Sequence, residues 1–335
     1  MSRSLWTALH DRLHQTIRQR ALFAPHQAIL IAVSGGQDSL CLARILVDLQ
    51  PKWNWKLAIA HCDHRWRPDS QATADHVAAL AIAWNLPIYR EVAESIPKSE
   101  AEARVWRYDV LSAIAQAEGY SAIATGHTAS DRAETLLFNL IRGSGADGLQ
   151  ALGWKRLLGS TLGLVRPLLE TTRTETGKFC QAAELPVWDD ATNQDLRYAR
   201  NRIRHEVLPY LETHFNPQTE RHLAHTMELL SADVEHLEQQ AAALREQAMG
   251  DRSLEAIGLN RRILGQASLA LQRRAVRQFL QQTLQFSPNF AQVEKVVSLI
   301  SAPNRTRTDP FLKRAIAEVD GDWIWINDLP RSPHS

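Results

Sequence analysis

Residues 29–40 constrain this chain more than any other stretch, because an apolar run stops at a Ser-Gly-Gly turn and restarts as a helix. Residues 29–33 are apolar at nearly every position and rich in β-branching, which predicts a buried parallel strand. The two glycines let the backbone approach an anion, and the free N–H groups at a helix start attract negative charge. The stretch therefore predicts a phosphate site at the carboxyl end of a strand.

An ordinary strand-to-helix turn, with glycine at the bend and serine as the N-cap, is the simpler interpretation of the same residues. The hexapeptide Ser34-Gly-Gly-Gln-Asp-Ser39 nevertheless resembles the S-G-G-x-D-S loop, or PP-loop, of the N-type ATP pyrophosphatases at every fixed position. The resemblance implies that ATP is cleaved to AMP and pyrophosphate. The predicted ATP-binding residues of this loop are Ser34, Gly35, Gly36, Gln37, Asp38 and Ser39. Asp38 is in addition a predicted catalytic residue and Mg²⁺ ligand.

Composition sets outer bounds on the chain. Its 335 residues, 44% of them hydrophobic, suggest two or three domains. The 38 lysines and arginines nearly balance the 37 acidic residues, so a nucleic-acid surface requires segregated charge. The three cysteines form no C-x-x-C pair, which argues against a disulfide framework, a structural zinc site and a thiolation centre. Neither a signal peptide nor a membrane-spanning run is present, so we expect a cytoplasmic protein.

Strand and helix patterns alternate through the first half of the chain. Strands are predicted near residues 29–33, 55–61, 87–92 and 121–125, with helices between them, and this alternation is typical of a doubly wound parallel sheet. Ligands of such sheets bind at the carboxyl ends of the strands. We therefore expect the polar clusters at residues 34–39, 61–67 and 126–134 to share one crevice.

The second polar cluster, residues 61–67, contains two histidines, an aspartate and two arginines. Metal ligands, a helix cap and a polar rim are alternative interpretations, and a cluster without a partner cluster is usually not a metal site. The segment resembles the H-x-N-H-x-x-R stretch of tRNA lysidine synthetases, with Asp63 in place of the Asn. The resemblance implies that His61 contacts the nucleotide and Arg67 the tRNA.

The helix predicted for residues 99–118 places Glu100, Arg104 and Arg107 on one face. A salt-bridged solvent face is the alternative interpretation of this spacing. The segment also resembles the E-A-x-A-R-x-x-R-Y element of the same synthetases, which faces the nucleotide and the tRNA. That resemblance implies nucleotide contact by Arg104 and tRNA contact by Arg107.

The third polar cluster, residues 126–135, opens another helix. Thr128 and Asp131 have the spacing of an N-cap pair, so we expect the helix to begin directly after the preceding histidine. The cluster resembles the G-H-x-x-D-D-Q-x-E-T…R-G-x-G element of the synthetases, with Ser130 and Arg132 in place of the first Asp and the Gln. The catalytic residues implied by the resemblance are His127, Asp131 and Glu134. Asp131 joins Asp38 as a predicted Mg²⁺ ligand.

Residues 164–209 carry three further elements that resemble the synthetases, namely R-P-L-L, D-x-x-N and the basic R-N-x-I-R. A basic run is most often a solvated helix face, although phosphate backbones require the same charges. The resemblance implies that tRNA contacts come from this region and from the end of the preceding helix. The predicted tRNA-binding residues here are Arg142, Asp190, Asn193, Arg200, Asn201 and Arg204.

The remainder of the chain reads as a second domain. Apolar residues at three-four spacing predict one long helix from about residue 217 to Gly250, followed by shorter helices at 268–284 and 288–300. A terminal β-hairpin is predicted for residues 311–326, turning at Asp320-Gly321. The predicted tRNA-binding residues of the first short helix are Arg273, Arg274 and Arg277, with a solvated arginine face as the alternative.

We therefore predict an α/β protein, with a doubly wound parallel sheet of the adenine nucleotide alpha-hydrolase-like type (residues 1–215) followed by a smaller, mainly helical domain (residues 216–331). The resemblance implies an enzyme of the tRNA lysidine synthetase family, which uses ATP and Mg²⁺ to join L-lysine to the wobble cytidine of tRNA(Ile) with a CAU anticodon. A cytidine thiolase and a non-catalytic nucleotide-binding module are the alternatives. The residue that accepts the proton of the lysine amine is left open among Asp131, Glu134 and His127. We expect no membrane partner. A homo-oligomer is compatible with the sequence.

Overall fold

The computed structural model describes residues 6–66, 69–150, 152–188, 194–253, 256–285, 287–310 and 315–328. It separates into two compact units, Met1–Ser231 and Ala232–Ser335, and the division falls within one long helix. The boundary after residue 215 suggested by the sequence stays a prediction. In the described part of the chain, no helix is both long enough and apolar enough to cross a membrane.

The first unit is built on a six-stranded sheet. Its strands are β1 (Ala28–Ala32), β2 (Lys56–Asp63), β3 (Ile88–Val92), β4 (Ala122–Thr125), β5 (Lys155–Leu158) and β6 (Leu162–Val165). They lie in the order β3-β2-β1-β4-β6-β5, and every neighbouring pair is parallel except β5 with β6. The strand order reverses beside β1, so the point where a doubly wound sheet binds its ligand lies between β1 and β4.

Helices cover both faces of this sheet. The α-helices as far as residue 248 are α1 (Ala8–Gln19), α2 (Gln37–Trp53), α3 (Ser70–Ala83), α4 (Glu100–Glu118), α5 (Ala129–Ile141), α6 (Ala146–Leu149), α7 (Arg173–Ala182), α8 (Ala199–Arg202), α9 (Leu208–His214) and α10 (Thr219–Ala248). Ile29 and Ile31 pack into the core on one face, and Leu30 packs into the core on the other. All three are fully buried, which explains why β1 is a continuous apolar run.

The four strands predicted in the first half are confirmed, whereas the hairpin of β5 and β6 was not predicted. Both its strands are only four residues long, and β5 is an exposed edge strand that begins with Lys155 and Arg156. Gly159 forms the turn between them with a φ of +68°. A short, charged edge strand has no alternation of buried residues from which it could be recognised.

The second unit combines helices with a four-stranded antiparallel sheet. Its elements after α10 are β7 (Met249–Ser253), β8 (Ala256–Asn260), α11 (Arg261–Gly265), α12 (Leu269–Leu284), α13 (Phe290–Val297), β9 (Ala315–Asp320) and β10 (Trp323–Asp328). The strand order is β7-β8-β10-β9. The predicted terminal hairpin corresponds to β9 and β10, although it is half of a larger sheet, and residues 311–314 lie outside the described residues.

Strands β7 and β8 were not predicted, because glycines interrupt their pattern. A Cβ added to Gly250 would lie 2.4 Å from the ring of Trp323, and one added to Gly258 would lie 2.6 Å from the ring of Trp325. These glycines make room for two stacked tryptophans of β10. The feature that weakens the strand signal in the sequence is therefore a packing requirement of the sheet.

Candidate active site

The loop of residues 34–39 joins β1 to α2 at the ligand-binding edge of the sheet. Gly35 has a φ of +93°, a conformation that favours glycine. The backbone N of Ser34 donates to Oγ of Ser39 over 3.1 Å, and the same hydroxyl donates to the carbonyl of Gly36 over 2.9 Å. Helix α2 begins at Gln37 with Gly36 as its N-cap. The loop is thus held in shape by its own serine, while its helix-start N–H groups suit an anion.

Gly126 brings the third polar cluster against this loop. It follows β4, and a Cβ added to it would lie 2.9 Å from backbone atoms of Asp38 and Ser39. A side chain at this position would push the end of β4 away from the start of α2. The absence of one places the start of α5 directly beside the start of α2, so the predicted shared crevice is present for these two clusters.

Thr128 and Asp131 form the predicted capping pair of α5. The backbone N and the hydroxyl of Thr128 both donate to Oδ2 of Asp131 over 2.8 Å. The pKa of Asp131 is lowered, because the charge of Arg173 and the hydrogen bonds from Thr128 outweigh the effect of burial. His127 is hydrogen-bonded through Nδ1 to the hydroxyl of Thr125 over 2.9 Å, and burial lowers the pKa of its ring. This histidine is therefore neutral and a weak base.

Arg173, at the start of α7, holds three of the predicted residues together. Its Nε lies 3.0 Å from Oδ2 of Asp38, its Nη2 lies 3.2 Å from Oδ1 of Asp131, and its Nη1 lies 3.2 Å from Oε1 of Glu134. These carboxylates raise the pKa of the guanidinium above its usual range, against the effect of burial. Sequence reasoning missed this residue, because Arg173 is far from all three carboxylates along the chain.

Glu134 is also paired with Arg204, a predicted tRNA-binding residue. Nε of Arg204 lies 2.7 Å from Oε1 of Glu134, and Nη2 lies 2.9 Å from Oε2. The side chain of Glu134 is only 4% exposed, so a buried carboxylate is shared between two arginines. Arg204 thus belongs to the carboxylate cluster in this structure, and its contact with tRNA stays a prediction.

A fourth carboxylate, Glu220 near the start of α10, was also missed. The hydroxyl of Ser130 donates to Glu220, and the backbone N of Arg173 donates to the same hydroxyl over 2.8 Å. Burial and the carboxylates of Glu212, Glu134 and Asp131 raise the pKa of Glu220 to about 7. Glu220 contacts Ser130, the position at which this chain departs from the expected aspartate, but the sequence carries no signal that links these two positions.

The fit of Mg²⁺ depends on the oxygen ligands at this site. The described residues contain no group of three His, Cys, Asp or Glu side chains arranged to hold a metal by themselves. Asp38 and Asp131 are hard oxygen donors bound to the same guanidinium. Because Mg²⁺ commonly takes one or two carboxylates and completes its shell with water and nucleotide phosphates, this pair suits the ion once Arg173 moves aside.

The second polar cluster supports the end of β1. Nδ1 of His61 donates to the carbonyl of Val33 over 2.8 Å and is buried. Burial lowers the pKa of His64 to about 4, and its ring lies between those of Trp66 and Trp106. His61 therefore steadies the strand that leads into the loop, and its contact with the nucleotide stays a prediction. Arg67, Asp190 and Asn193 lie outside the described residues.

The remaining predicted arginines of the first unit fall into two groups. The guanidinium carbons of Arg104 and Arg107 lie 5.7 and 5.8 Å from the ring centre of Tyr108. Those of Arg142 and Arg200 lie 5.1 and 5.5 Å from the ring centre of Phe138. Arg200 also pairs with Glu100 over 2.5 Å. A separate residue, Asn201, donates to the carbonyl of Asp195 over 2.9 Å.

The three predicted arginines of the second unit are ion-paired. Arg273 makes two hydrogen bonds to Glu294, of 2.7 and 3.0 Å. Arg274 and Arg277 both bind Oε1 of Glu238, at 2.6 and 2.5 Å. The arginines are therefore partly neutralised by carboxylates, and their contact with tRNA stays a prediction.

Comparison with known proteins defines the class. Residues 6–211 match the PP-loop domain family. The fold is similar to that of the U34-tRNA thiolase NcsA from Methanococcus maripaludis, with a TM-score of 0.56 and 16% identity over 67% of this chain and 78% of that chain. The fold and the phosphate loop thus define a PP-loop protein.

Closer relatives narrow that class. The chain is 59% identical to a tRNA(Ile)-lysidine synthase from Nostoc sp., over 98% of this chain and 99% of that protein. It is 51% identical to the tRNA(Ile)-lysidine synthase from Synechocystis sp., over 95% of this chain and 97% of that protein. The chain belongs to the tRNA(Ile)-lysidine synthase family, and it is therefore an ATP-dependent ligase.

The cysteines do not support the thiolase alternative. Cys41, Cys62 and Cys180 are all free, and Cys41 and Cys180 are buried. Burial raises the pKa of both Cys62 and Cys180 to about 12. Neither thiol is therefore activated as a nucleophile.

Proposed function

We propose that this chain ligates lysine to C2 of the wobble cytidine in the CAU anticodon of tRNA(Ile), giving lysidine, AMP and pyrophosphate. The modification changes decoding from AUG to AUA and the identity of the tRNA from Met to Ile. One observation carries the proposal: Asp38, Asp131 and Glu134 meet around one guanidinium beside a phosphate-binding loop. That arrangement suits a reaction that handles ATP and a cationic amine at one place.

In the first step the C2 oxygen of the cytidine attacks the α-phosphate of ATP, and the bond to the leaving pyrophosphate breaks. The cytidine is turned out of its stack to reach the crevice. The N–H groups at the start of α2 bind the phosphate oxygens, because they have no partners within the helix and the helix dipole favours negative charge. Asp38 and Asp131 would hold Mg²⁺, which supplies positive charge to the phosphates when bound.

In the second step the lysine ε-amine attacks C2, and AMP leaves with the C2 oxygen. Lysine arrives as an ammonium ion, which the carboxylates of Asp131 and Glu134 attract, and it must lose a proton before it attacks. Both carboxylates are suited to bind the ammonium group. The group that receives the proton stays open among Asp131, Glu134 and His127, because the pKa of Asp131 and that of His127 are both lowered.

The substrates that we propose for this chain are those of its family. The proposal makes tRNA(Ile), L-lysine and ATP the substrates of this chain, and it places the reaction in the cytoplasm, where tRNA is processed. Arg142 and Arg200 are the proposed tRNA contacts on the first unit, since both lie against Phe138 at the end of α5. Cations beside an exposed helix end suit a phosphate backbone.

The proposal is tested by incubating the protein with ATP, labelled lysine and bulk tRNA. We expect the label to enter tRNA in an ATP-dependent manner and pyrophosphate to appear in equal amount. An Asp38→Asn variant, which keeps the size of the side chain, should lose both products. Cleavage of ATP without incorporation of lysine would contradict the proposal.

A further inference from the structure

A second cationic feature of the first unit lies at the β5–β6 hairpin and borders the candidate active site, since the charge of its Arg166 helps to lower the pKa of His127. The unpredicted β5–β6 hairpin begins with Lys155 and Arg156, and Arg166 directly follows β6. Strand pairing sets Lys155 opposite Val165, and the backbone N of Arg166 donates to the carbonyl of Trp154. The hairpin thus gathers three cations at one end.

These cations line a cavity of about 350 Å³. Its other polar lining comes from Asp147, Gln150 and Ser231, so three cationic side chains face one carboxylate. Ser231 donates to Gln150 over 3.2 Å, which fixes one wall. The cavity is large enough for a small charged group, and its lining carries an excess of positive charge.

Arg166 is unusual among the residues that line the cavity, because its charged side chain is fully buried. Its side chain is among the largest fully buried ones of the chain, and the residue is 2% exposed. Nη1 donates to the carbonyl of Gly153 over 2.6 Å, whereas Nε is buried without a hydrogen-bond partner among the described residues. The described part of the chain also provides no ion pair for this guanidinium. A buried charge without a counter-charge is costly, so this guanidinium is suited to bind an anion that comes from outside.

Further arginines lie near Arg166, around the ring of Tyr108. The guanidinium carbon of Arg156 lies 4.8 Å from the ring centre of Tyr108, and Arg104 and Arg107 face the same ring. Burial lowers the pKa of Arg166, and the charges of Arg156 and Arg104 lower it too, against the opposing effect of the hydroxyl of Tyr108. Four arginines therefore surround one tyrosine.

We propose that the cavity lined by Lys155, Arg156 and Arg166 is a second anion site, which binds a phosphate group. Arginine forks match the geometry of phosphate oxygens, and a phosphate supplies the counter-charge that Arg166 lacks. The phosphate has two candidate sources, the backbone of a substrate RNA and the pyrophosphate part of a nucleotide. The RNA source rests on the proposed function, whereas the pyrophosphate source does not require RNA.

The test uses the full chain with Lys155 and Arg156 both changed to Gln, which removes two charges from the rim and leaves the buried Arg166 in place. An Arg18→Gln, Lys178→Gln variant is the matched control, because it also removes two charges, and both residues are exposed and do not line the cavity. Binding of inorganic pyrophosphate and of a stem-loop RNA with a CAU anticodon is measured by calorimetry over a range of salt concentrations. Circular dichroism confirms that each variant is folded.

If the backbone of RNA is the source, the double variant binds the stem-loop roughly tenfold more weakly, and the slope of log K against log salt flattens by about one unit for each phosphate that is no longer neutralised. Its pyrophosphate affinity is then unchanged. If a nucleotide is the source, pyrophosphate binding weakens and RNA binding does not. Either result supports the site, while wild-type affinity for both probes overturns it.

Two further measurements keep the outcomes distinct. Arg166→Lys retains the charge but loses the planar fork, so a folded variant should lose part of the same affinity; if it does not fold, the rim variant still decides. If the unmodified protein binds no RNA at all, the proposed function fails, and the pyrophosphate measurement alone decides the cavity.

Discussion

Nε of Arg173 donates to Oδ2 of Asp38 over 3.0 Å, and this bond ties the start of α7 to the phosphate loop. Arg173 is the first residue of α7, where the helix dipole disfavours a positive charge. The helix already has a complete capping box from Thr172 and Glu175. Arg173 therefore does not stabilise the start of α7. Its position is explained by the carboxylates that it neutralises.

Replacing Arg173 by Met should raise the affinity of the nucleotide-free protein for a divalent cation. The substitution removes the charge that competes for Asp38, Asp131 and Glu134, while it keeps much of the side-chain volume. Mn²⁺ serves as the probe for Mg²⁺, and its free concentration is followed by electron paramagnetic resonance. We expect tighter binding by about tenfold or more, which corresponds to about 1.4 kcal/mol.

Arg221→Met is the control for this measurement, since Arg221 pairs with Glu175 on the surface and lies outside the carboxylate cluster. Its Mn²⁺ affinity should match that of the unmodified chain. Equal Mn²⁺ affinity for the Arg173 variant and the unmodified chain would show that the arginine and the cation do not compete.

Replacing Gly36 by Val should abolish pyrophosphate release without unfolding the chain. In the described part of the chain, the nearest atom to a Cβ at this position is Oγ of Ser34, at 3.6 Å, so the protein itself has room. The added side chain instead fills the space in which phosphate oxygens approach the backbone. Pyrophosphate release and circular dichroism are measured together, with Gly265→Val as the control because its Cβ also meets ordinary contact at 3.6 Å. Normal release by a folded Gly36 variant would refute the ATP site.

The local parts of this structure could be predicted from the sequence, and the long-range parts could not. Ile29, Leu30 and Ile31 indicate a strand buried on both faces, and the spacing of Thr128 and Asp131 indicates a helix start, because each pattern is short. Arg173 reaches its carboxylates across 135 and 42 positions, a relation that no local pattern contains.

The same distinction explains the missed sheet of the second unit. Gly250 and Gly258 accommodate Trp323 and Trp325 from a strand far along the chain. The reason for a glycine at these two positions is apparent only once the strands are paired. Likewise, the contact of Ser130 with Glu220 joins positions 90 residues apart, so a departure from the family pattern at one position could not reveal the carboxylate at the other.

Replacing Glu220 by Gln should stabilise the chain at alkaline pH more than at acidic pH. The pKa of Glu220 is raised to about 7 from a usual value of 4.5, so the folded chain holds its proton more tightly than the unfolded chain does. Ionisation of the carboxyl therefore costs the folded state stability as the pH rises from about 4.5 to about 7, and that cost is constant above this range. Gln carries no such cost.

The measurement compares urea unfolding of the Glu220→Gln variant and the unmodified chain at about pH 5 and about pH 8, on either side of the raised pKa. We expect the difference in unfolding free energy to shift in favour of the variant at the higher pH. Glu246→Gln, on an exposed side chain of α10, is the control and should show no such shift. A difference that is identical at both pH values would mean that Glu220 ionises normally in the folded chain.

Arg273 and Glu294 give a test of tRNA binding in which two substitutions act in opposite directions. If Arg273 contacts phosphate, Arg273→Ala removes a cation and should weaken tRNA binding, whereas Glu294→Gln frees the same cation and should strengthen it. The two side chains are 39% and 34% exposed, so the ion pair contributes little to folding and both variants should remain folded.

The salt dependence of tRNA binding separates this contact from a general effect of charge. The slope of log K against log salt should flatten by about one unit or less for Arg273→Ala and should steepen for Glu294→Gln. The control is Lys295→Ala, which removes a neighbouring cation that pairs with Asp309 instead. If both variants of the pair keep the unmodified affinity and slope, Arg273 does not contact tRNA, and Arg274, Arg277, Arg200 and Arg142 are the next residues to change.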